Sequence, residues 1–289
     1  MAYKGHRINP TRFEKSQIKI IVILLPLVIF MALPIIFIIN HAFKPMEELF
    51  AFPPTFFVRN ATLENFESLI KASRTSGIPL SRYVFNSLIV TLATIFLSLL
   101  MTTCAAFALS KIKFRAKNTL MNINQTAIMF VATAVLIPRY LVISKTGLID
   151  NYLAHILPLV AMPVALFLVK QFVDQVPDSL MEAAYMDGAT DWQVYLKIII
   201  PMIKPAIATA SILVFQQVWT NMETSNYFVN DDSMKTLTFY MNTLANANNT
   251  VAGQGMAAAA SLIMFIPNLV LFVILQKNVM NTMAHSGIK

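Results

Sequence analysis

The sequence predicts an all-α membrane protein with about six transmembrane helices. Hydrophobic residues make up 57% of the 289 residues, and only 12% are charged, against roughly 25% in an ordinary soluble domain. Cutting the chain at its charges also leaves six long uncharged stretches. Each of these can supply the roughly 20 apolar residues that cross a hydrocarbon layer of about 30 Å.

The six spans are predicted in chain order, after a cytoplasmic segment at 1–19 and within one transmembrane domain at 20–289. They cover about 20–40, 83–110, 118–138, 151–169, 203–222 and 256–276. A soluble bundle is disfavoured because "NSLIVTLATIFLSLLMTTCAAFALS" has no polar face at helical spacing. The first stretch is longer than a signal-peptide core and lacks an obvious cleavage site, so we expect it to remain as a span.

The distribution of basic residues predicts the orientation. With the N-terminus inside, the inner segments hold 14 of the 22 Lys and Arg residues and the outer segments hold 8. Both termini are therefore predicted to be cytoplasmic. Basic loops beside anionic lipid explain the net charge of +8 without nucleic acid. The single Cys104 has no partner for an intrachain disulfide.

Two outer connections are long. In the one at 40–82, Pro53 and Pro54 interrupt the chain, and "TLENFESLIKA" from Thr62 predicts a short helix with an N-cap. The connection at about 223–255 is rich in Asn and Thr. It is either a plain solvated loop or part of a lid near a substrate path.

Signatures of catalysis are missing from the sequence. No glycine is followed by Lys and then Ser or Thr, the four histidines are scattered, and no GxSxG is present. We therefore expect no enzyme, no metal and no cofactor in this chain. The central parts of the spans also lack Asp, Glu, Lys and Arg, which weakens the case for an ion-coupled secondary transporter.

A polar segment, "SLMEAAYMDGATDWQVYLKIIIP" at 179–201, lies on the inner side between the fourth and fifth spans. Ser179 and Glu182 predict a capping box with a helix from Leu180. Gly188 can adopt the left-handed conformation that ends this helix. Thr190 with Gln193 predicts a second capping box, opening a helix that continues to Pro201.

Helices this short are marginal alone, because an isolated helix needs about 12 to 15 residues. The pair must therefore pack on another surface. Ala183 and Ala184, flanked by Met181 and Tyr185, would let that surface approach the helix backbone closely. Local physics leaves two alternatives open, a separate partner or the spans of this same chain.

The string "EAAYMDGATDWQVYLKIIIP" resembles the EAA loop of the ABC transporter permeases, the binding-protein-dependent transport components. Their pattern is EAA, three residues, G, nine residues, I, one residue, L and P. The matching positions are Glu182, Ala183, Ala184, Gly188, Ile198 and Pro201. Ile200 replaces the usual leucine and keeps the position apolar.

Other segments resemble the sugar-importing branch typified by the maltose permeases, and the resemblance covers roughly 20–289. They are "NSLIVTLATIFLSLLMTTCAAFALSKIKF", "GLIDNYLAHILP", "KQFVDQVPDSLMEAAYMDGA" and the tail "LQKNVMNTMAHSGIK". One departure is "QVWTNMET", where the family usually places Asn directly after Trp219.

The resemblance implies one permease subunit of an ABC importer for a sugar of oligosaccharide type, in a bacterial-type cytoplasmic membrane. Implied partners are a second homologous permease, two ATPase subunits that bind ATP and Mg²⁺, and an extracellular or periplasmic solute-binding protein. The residues implied in coupling to the ATPase are Glu182, Ala183, Ala184, Tyr185, Asp187, Gly188, Ala189 and Pro201. A permease for a non-sugar solute and a secondary transporter remain as alternatives.

Polar residues in two of the spans are candidates for a substrate path. Amides and an aromatic ring suited to sugars gather near the outer end of the fifth span, at Gln216, Gln217, Trp219 and Asn221. A weaker pair, Asn124 and Gln125, lies near the inner end of the third span. The alternative is that these groups only hydrogen-bond neighbouring helices. The resemblance also allows the partner permease to hold the sugar.

Overall fold

The computed structural model describes residues 15–75, 77–247 and 251–286, and these residues are helical with short connections. The α-helices of the described residues are α1 (Lys15–Phe43), α2 (Met46–Leu49), α3 (Glu64–Thr75), α4 (Leu80–Lys111), α5 (Lys117–Met129), α6 (Leu136–Lys145), α7 (Tyr152–Val160), α8 (Pro163–Asp174), α9 (Asp178–Met186), α10 (Asp191–Val194), α11 (Ile200–Met202), α12 (Lys204–Trp219), α13 (Glu223–Tyr227), α14 (Leu237–Ala247) and α15 (Val251–Ser286). A π-helical turn (Tyr195–Ile199) joins α10 to α11, and short 3₁₀ turns cover Ala132–Val135 and Asp232–Met234.

Among the described residues, three helices are long and apolar enough to cross a membrane by themselves. They contain the stretches Ile18–Phe43, Leu80–Lys111 and Gly253–Gln276, which lie in α1, α4 and α15. These helices correspond to the first, second and sixth predicted spans. Most of the predicted N-terminal segment, at 1–14, and the last residues of the tail, at 287–289, lie outside the described residues.

The other three predicted spans are bent pairs of helices. The pair Tyr152–Val160 and Pro163–Asp174 bends by 45°, and the pair Asp191–Met202 and Lys204–Tyr227 bends by 80°. At the second break, Ile203 has φ −95° and ψ 13° and interrupts the helix. Pro163 accounts for the first break, because the residue before a proline is pushed out of the helical region. Met162 before Pro163 has φ −113° and ψ 97°. If each bent pair is one span, up to six crossings result.

The third span, predicted at 118–138, is interrupted by a sharp bend. Helix α5 ends at Met129, and Lys117–Met129 meets Thr133–Lys145 at 109°. Phe130 and Val131 between them are extended, with ψ 133° and 134°. No proline or glycine marks this break, while the β-branched residues Val131 and Thr133 have only modest helix propensity.

Helix α4 is central in the fold, because it packs against α7, α8 and α12, while α15 packs against α1, α12 and α14. Close helix packing depends on small residues that are fully buried at the interfaces, at Ala106, Ala165, Ala206 and Ala210. The hydroxyl of Thr94 donates to the Val90 carbonyl at 2.7 Å, four residues earlier in the same helix. A polar side chain is thereby satisfied inside an apolar bundle.

The predicted outer helix forms as α3. The connection at about 223–255 is not a plain solvated loop, since it forms α13, a 3₁₀ turn and α14, which pack on α7 and on the N-terminal part of α4. There the amide N–H of Leu237 donates to Ser87 Oγ at 2.7 Å, and Asn86 Nδ2 donates to the Lys235 carbonyl at 2.9 Å. Residues 248–250 of this connection lie outside the described residues.

Candidate functional site

The polar inner segment folds as two short helices joined by a tight turn, and we call residues 178–202 the hairpin. Its first helix, α9, begins at Asp178 with Pro177 as N-cap. The predicted capping box of Ser179 and Glu182 does not form, because Ser179 already lies inside the helix and no side chain caps it. Proline presets its own backbone for this position, and the Asp178 carboxylate supplies negative charge in the first turn.

The turn after α9 is a Schellman motif, in which a left-handed glycine lets two backbone N–H groups satisfy the last carbonyls of the helix. Gly188 has φ +81°. Its N–H donates to the Tyr185 carbonyl at 3.0 Å, and the N–H of Ala189 donates to the Ala184 carbonyl at 2.9 Å. The predicted glycine-controlled end of the helix is therefore confirmed.

The second predicted capping box is also present. Gln193 N–H donates to Thr190 Oγ1 at 3.4 Å, and Thr190 N–H donates to Gln193 Oε1 at 2.9 Å. The phenol of Tyr185 crosses the turn and donates to Asp191 Oδ1 at 2.7 Å, and this hydrogen bond raises the pKa of Tyr185. The Schellman turn, the Thr190 capping box and the Tyr185–Asp191 hydrogen bond are all local, so they stiffen the hairpin without any contact to the spans.

One side of the hairpin is buried in a cluster of apolar side chains around the C-terminal part of α4. Its buried contributions are Met181, Val194, Tyr195 and Ile199. Ala184 is half-buried and packs against the same cluster. Met181 and Ala184 therefore hold the hairpin to its own spans, and the coupling role expected for Ala184 stays a prediction.

The opposite side of the hairpin is open. Glu182, Ala183, Tyr185, Asp187, Gly188 and Pro201 are exposed, and Ala189 is half-buried. Large apolar groups are exposed with them, since Met186 is 88% and Trp192 57% accessible. A rigid, small-faced helix turn flanked by exposed apolar side chains is suited to docking on another protein. The buried side therefore packs on the spans of this same chain, and docking of a separate partner on the open side stays a prediction.

A set of charged residues joins α4 to the hairpin and to α8, and sequence reasoning missed it. Lys111 Nζ lies 2.6 Å from Asp178 Oδ1 and donates to the Val176 carbonyl at 2.6 Å. Asp174 accepts from Ser110 Oγ at 2.5 Å and pairs with Lys170 at 2.7 Å. From sequence, the basic run from Lys111 predicts only the orientation. The acids Asp174 and Asp178 in the next inner segment are the signal that could have indicated ion pairs with neighbouring lysines.

The nominated substrate-path residues separate into two groups. Gln216 and Gln217 are exposed on α12. Trp219 is only 5% exposed, stacks on Phe215 with ring centroids 5.5 Å apart, and donates its indole N–H to the Met264 carbonyl at 3.1 Å. Asn221 uses its Oδ1 to accept the N–H of Thr224 at 3.1 Å. Trp219 and Asn221 are thus engaged in packing and capping.

Two cavities lie beside these residues. One of about 260 Å³ lies between the outer end of α12 and α14 and α15, and its polar lining comes from Thr220, Thr238, Asn242 and Ser261. Sequence reasoning nominated none of these four residues for the substrate path. The second cavity, of about 210 Å³, lies where α7 breaks into α8 and includes Asn124, whose Nδ2 donates to the Pro163 carbonyl at 3.2 Å. Gln125 is exposed.

These features define a multi-pass helical membrane protein with a capped hairpin that is exposed on one side, the architecture of a transporter's membrane component. Residues 98–279 match the family described as binding-protein-dependent transport system inner membrane component, and the chain belongs to that family. The family membership predicted from the hairpin is confirmed. The chain is therefore a permease subunit and not the ATP-hydrolysing enzyme of its transporter.

Named relatives span nearly the whole chain. The sulfoquinovosyl glycerol transport system permease protein SmoH of Agrobacterium fabrum is 26% identical, covering 89% of this chain and 88% of its own. The trehalose transport system permease protein SugB of Mycobacterium tuberculosis is 25% identical, covering 89% and 92%. A chain from the crystal structure of a bacterial ABC transporter that imports the acidic polysaccharide alginate superposes with a TM-score of 0.78 at 21% identity, covering 93% of this chain and 99% of its own. That likeness confirms the fold.

Proposed function

We propose that the chain is one of two homologous permeases of an ABC importer that moves a sugar of oligosaccharide type across the cytoplasmic membrane. The relatives named for sulfoquinovosyl glycerol and trehalose support a carbohydrate substrate. A solute-binding protein delivers the sugar, as the family description implies. Two ATPase subunits hold ATP and Mg²⁺, so that this chain needs no cofactor of its own.

The observation that carries the proposal is the two-sided hairpin. Its inner side is fixed to the bundle through Met181 and Ile199, while its outer side leaves Ala183 and Gly188 exposed. Six crossings with both termini in the cytoplasm would put this exposed side where ATP is available. The excess of Lys and Arg on the same side supports that orientation.

Coupling requires that the hairpin move without deforming. Its Schellman turn and its Thr190 capping box keep the two short helices in one arrangement. When the ATPases close on ATP, each hairpin is carried with them, and the spans attached to it shift from inward-open to outward-open. Moving such an equilibrium from 1:99 to 99:1 takes about 5.5 kcal/mol of differential binding.

Within the hairpin, we assign Glu182 and Asp187 to polar contacts with the ATPase and Ala183 to close approach. Tyr185 stiffens the turn through Asp191. Gly188 and Ala189 set the turn geometry, and Pro201 lies near the bend at which the hairpin continues into α12. On the substrate side, we nominate Gln216 and Gln217 near the end of α12, because both residues are exposed.

Co-purification tests the docking part of this proposal. Ala183→Trp adds a large side chain on the exposed face and should abolish retention of the ATPase on a tagged permease. Ala61→Trp, at an exposed alanine of the outer connection, is the matched control and should retain the ATPase. Equal retention in the two variants would contradict docking through this face.

Uptake tests the substrate. Proteoliposomes containing the permease pair, the ATPases and the binding protein should accumulate radiolabelled trehalose or a longer oligosaccharide only with ATP inside. Spermidine serves as the non-sugar comparison. Accumulation of spermidine alone would overturn the sugar assignment, and accumulation without ATP would favour a secondary transporter.

A further inference from the structure

A buried tyrosine connects the hairpin to the central span by directional bonds. Tyr195 is 3% exposed, and it is the first residue of the π-helical turn in the second half of the hairpin. Its hydroxyl lies 2.7 Å from Thr103 Oγ1 and 3.4 Å from Cys104 Sγ, both in α4. Its ring lies between those of Phe107 and Trp192, with centroids 5.7 and 5.1 Å away.

The direction of these hydrogen bonds follows from the partners available. Thr103 Oγ1 also lies 2.7 Å from the Leu99 carbonyl, which can only accept, so the threonine proton is used there. The tyrosine proton is then donated to Thr103 Oγ1, and the tyrosine oxygen accepts from the Cys104 thiol. The result is a chain of three bonds with one direction, ending on the backbone of α4.

Apolar packing alone would not fix the hairpin against α4 so closely. Dispersion and hydrophobic contacts have no strong angular preference, so packed surfaces can slide by small amounts at modest cost. A hydrogen bond weakens steeply once its angle falls toward 120°. Tyr195 therefore sets the register of the hairpin along α4, and α4 in turn packs against α7, α8 and α12.

We propose that Tyr195, through Thr103, is a positioning residue that transmits displacement of the hairpin to α4 during transport. This inference rests on the proposed function as an ATP-driven permease. If the bond is lost, the hairpin still docks and the ATPase still turns over, because the exposed face is unchanged. What falls is the fraction of ATPase cycles that reorient the spans.

The test measures sugar transported per ATP hydrolysed in proteoliposomes of the whole transporter. Tyr195→Phe keeps the ring and removes the hydroxyl, and Thr103→Val removes the acceptor. Each should lower the ratio by about twofold to twelvefold, the range expected for one net hydrogen bond. The double variant should be no worse than the worse single variant, because both remove the same bond.

Two further variants separate transmission from folding. Thr103→Ser keeps a hydroxyl and should restore the ratio. Tyr152→Phe also removes a hydrogen bond to α4, the one that Tyr152 donates to Asn86 Oδ1 at 2.8 Å. Because that bond lies in the N-terminal part of α4, away from the hairpin, the variant should leave the ratio unchanged. If Tyr195→Phe does not fold, Thr103→Val against Thr103→Ser gives the same comparison.

The outcomes are distinct. If Tyr195→Phe keeps the wild-type ratio of sugar transported to ATP hydrolysed, the positioning role is overturned. The same holds if the ratio falls as far in Tyr152→Phe as in Tyr195→Phe. Either result leaves the proposed function intact. A wild-type transporter without ATP-dependent uptake overturns the proposed function and this inference with it.

Discussion

The amine of Lys111, the last residue of α4, lies 2.6 Å from the carboxylate of Asp178, the first residue of α9. The lysine side chain is 7% exposed and the aspartate side chain 71%. The same amine donates to the Val176 carbonyl at 2.6 Å. The central span is thereby tied to the start of the hairpin by one buried cation with two partners.

This asymmetry predicts that removing Lys111 harms the protein more than removing Asp178. Lys111→Met leaves a buried carbonyl and a carboxylate without their donor, whereas Asp178→Asn leaves the lysine bonded to Val176. We expect a clearly larger fall in the thermal unfolding temperature in detergent for Lys111→Met. Lys113→Met, at an exposed lysine of the same loop, should change it little. Equal falls for Lys111→Met and Asp178→Asn would contradict the arrangement.

The same pair predicts a pH dependence. The hydrogen bond from Lys111 and its charge lower the pKa of Asp178 below 3.8. A depressed folded-state pKa means that the stabilisation is complete above the unfolded value and disappears as pH falls through the folded value. The difference in unfolding temperature between wild type and Asp178→Asn should therefore stay constant from pH 8 to about 5 and vanish only in stronger acid, below about 4. A difference that shrinks near pH 7 would exclude this cause.

Local turn chemistry was predictable because nearby residues determine it. Gly188 and the Thr190 capping box need only their immediate neighbours, and both form where the sequence places them. The start of α9 was mispredicted because two groups outside the pattern decide it, Pro177 and the distant Lys111. Sequence spacing does not reveal a contact between residues 67 positions apart.

The spans were predicted by counting apolar residues, which locates membrane segments but not their bends. Pro163 marks the break after α7 in the sequence, but counting apolar residues placed one predicted span across it. The turn at Val131 had no such marker. Trp219 was nominated for substrate because of its chemistry, and burial against Phe215 and Met264, a tertiary property, decides its surroundings.

The Gly188 turn should be sensitive through backbone strain alone. An added Cβ at Gly188 meets no atom within 4 Å, so Gly188→Val introduces no clash, but φ +81° costs a β-branched residue roughly 1–2 kcal/mol. We expect the variant to lose uptake because the hairpin changes shape, with binding-protein affinity unchanged.

Gly147 supplies the matched control for this variant. It has φ +69°, an added Cβ there also meets nothing within 4 Å, and it lies in the turn after α6, outside the hairpin. Gly147→Val carries a similar backbone cost and should retain far more uptake than Gly188→Val. Equal loss in both variants would mean that general instability, and not the hairpin, limits transport.

The two candidate capping boxes predict opposite results for two similar substitutions. Thr190→Ala removes an observed cap and should lower the free energy of unfolding by about 0.5–2 kcal/mol. Ser179→Ala removes no cap bond and replaces serine with a better helix former, so stability should stay level or rise slightly. Chemical denaturation of the two variants in detergent, followed by circular dichroism, distinguishes them. If Ser179→Ala destabilised the protein as much as Thr190→Ala does, Ser179 would form the capping box that the sequence predicts.

Exposure separates the polar residues of the fifth span into substrate candidates and packing residues. Gln216→Ala removes an exposed amide and should raise the sugar concentration needed for half-maximal uptake, with the unfolding temperature unchanged. Trp219→Phe keeps most of the ring stacked on Phe215 but leaves the Met264 carbonyl without its indole donor, at a cost of about 0.5–1.5 kcal/mol. It should lower the unfolding temperature without changing the choice among sugars. Altered sugar preference in Trp219→Phe, with Gln216→Ala silent, would return the tryptophan to the substrate path and would require the α12 and α15 contact to open during transport.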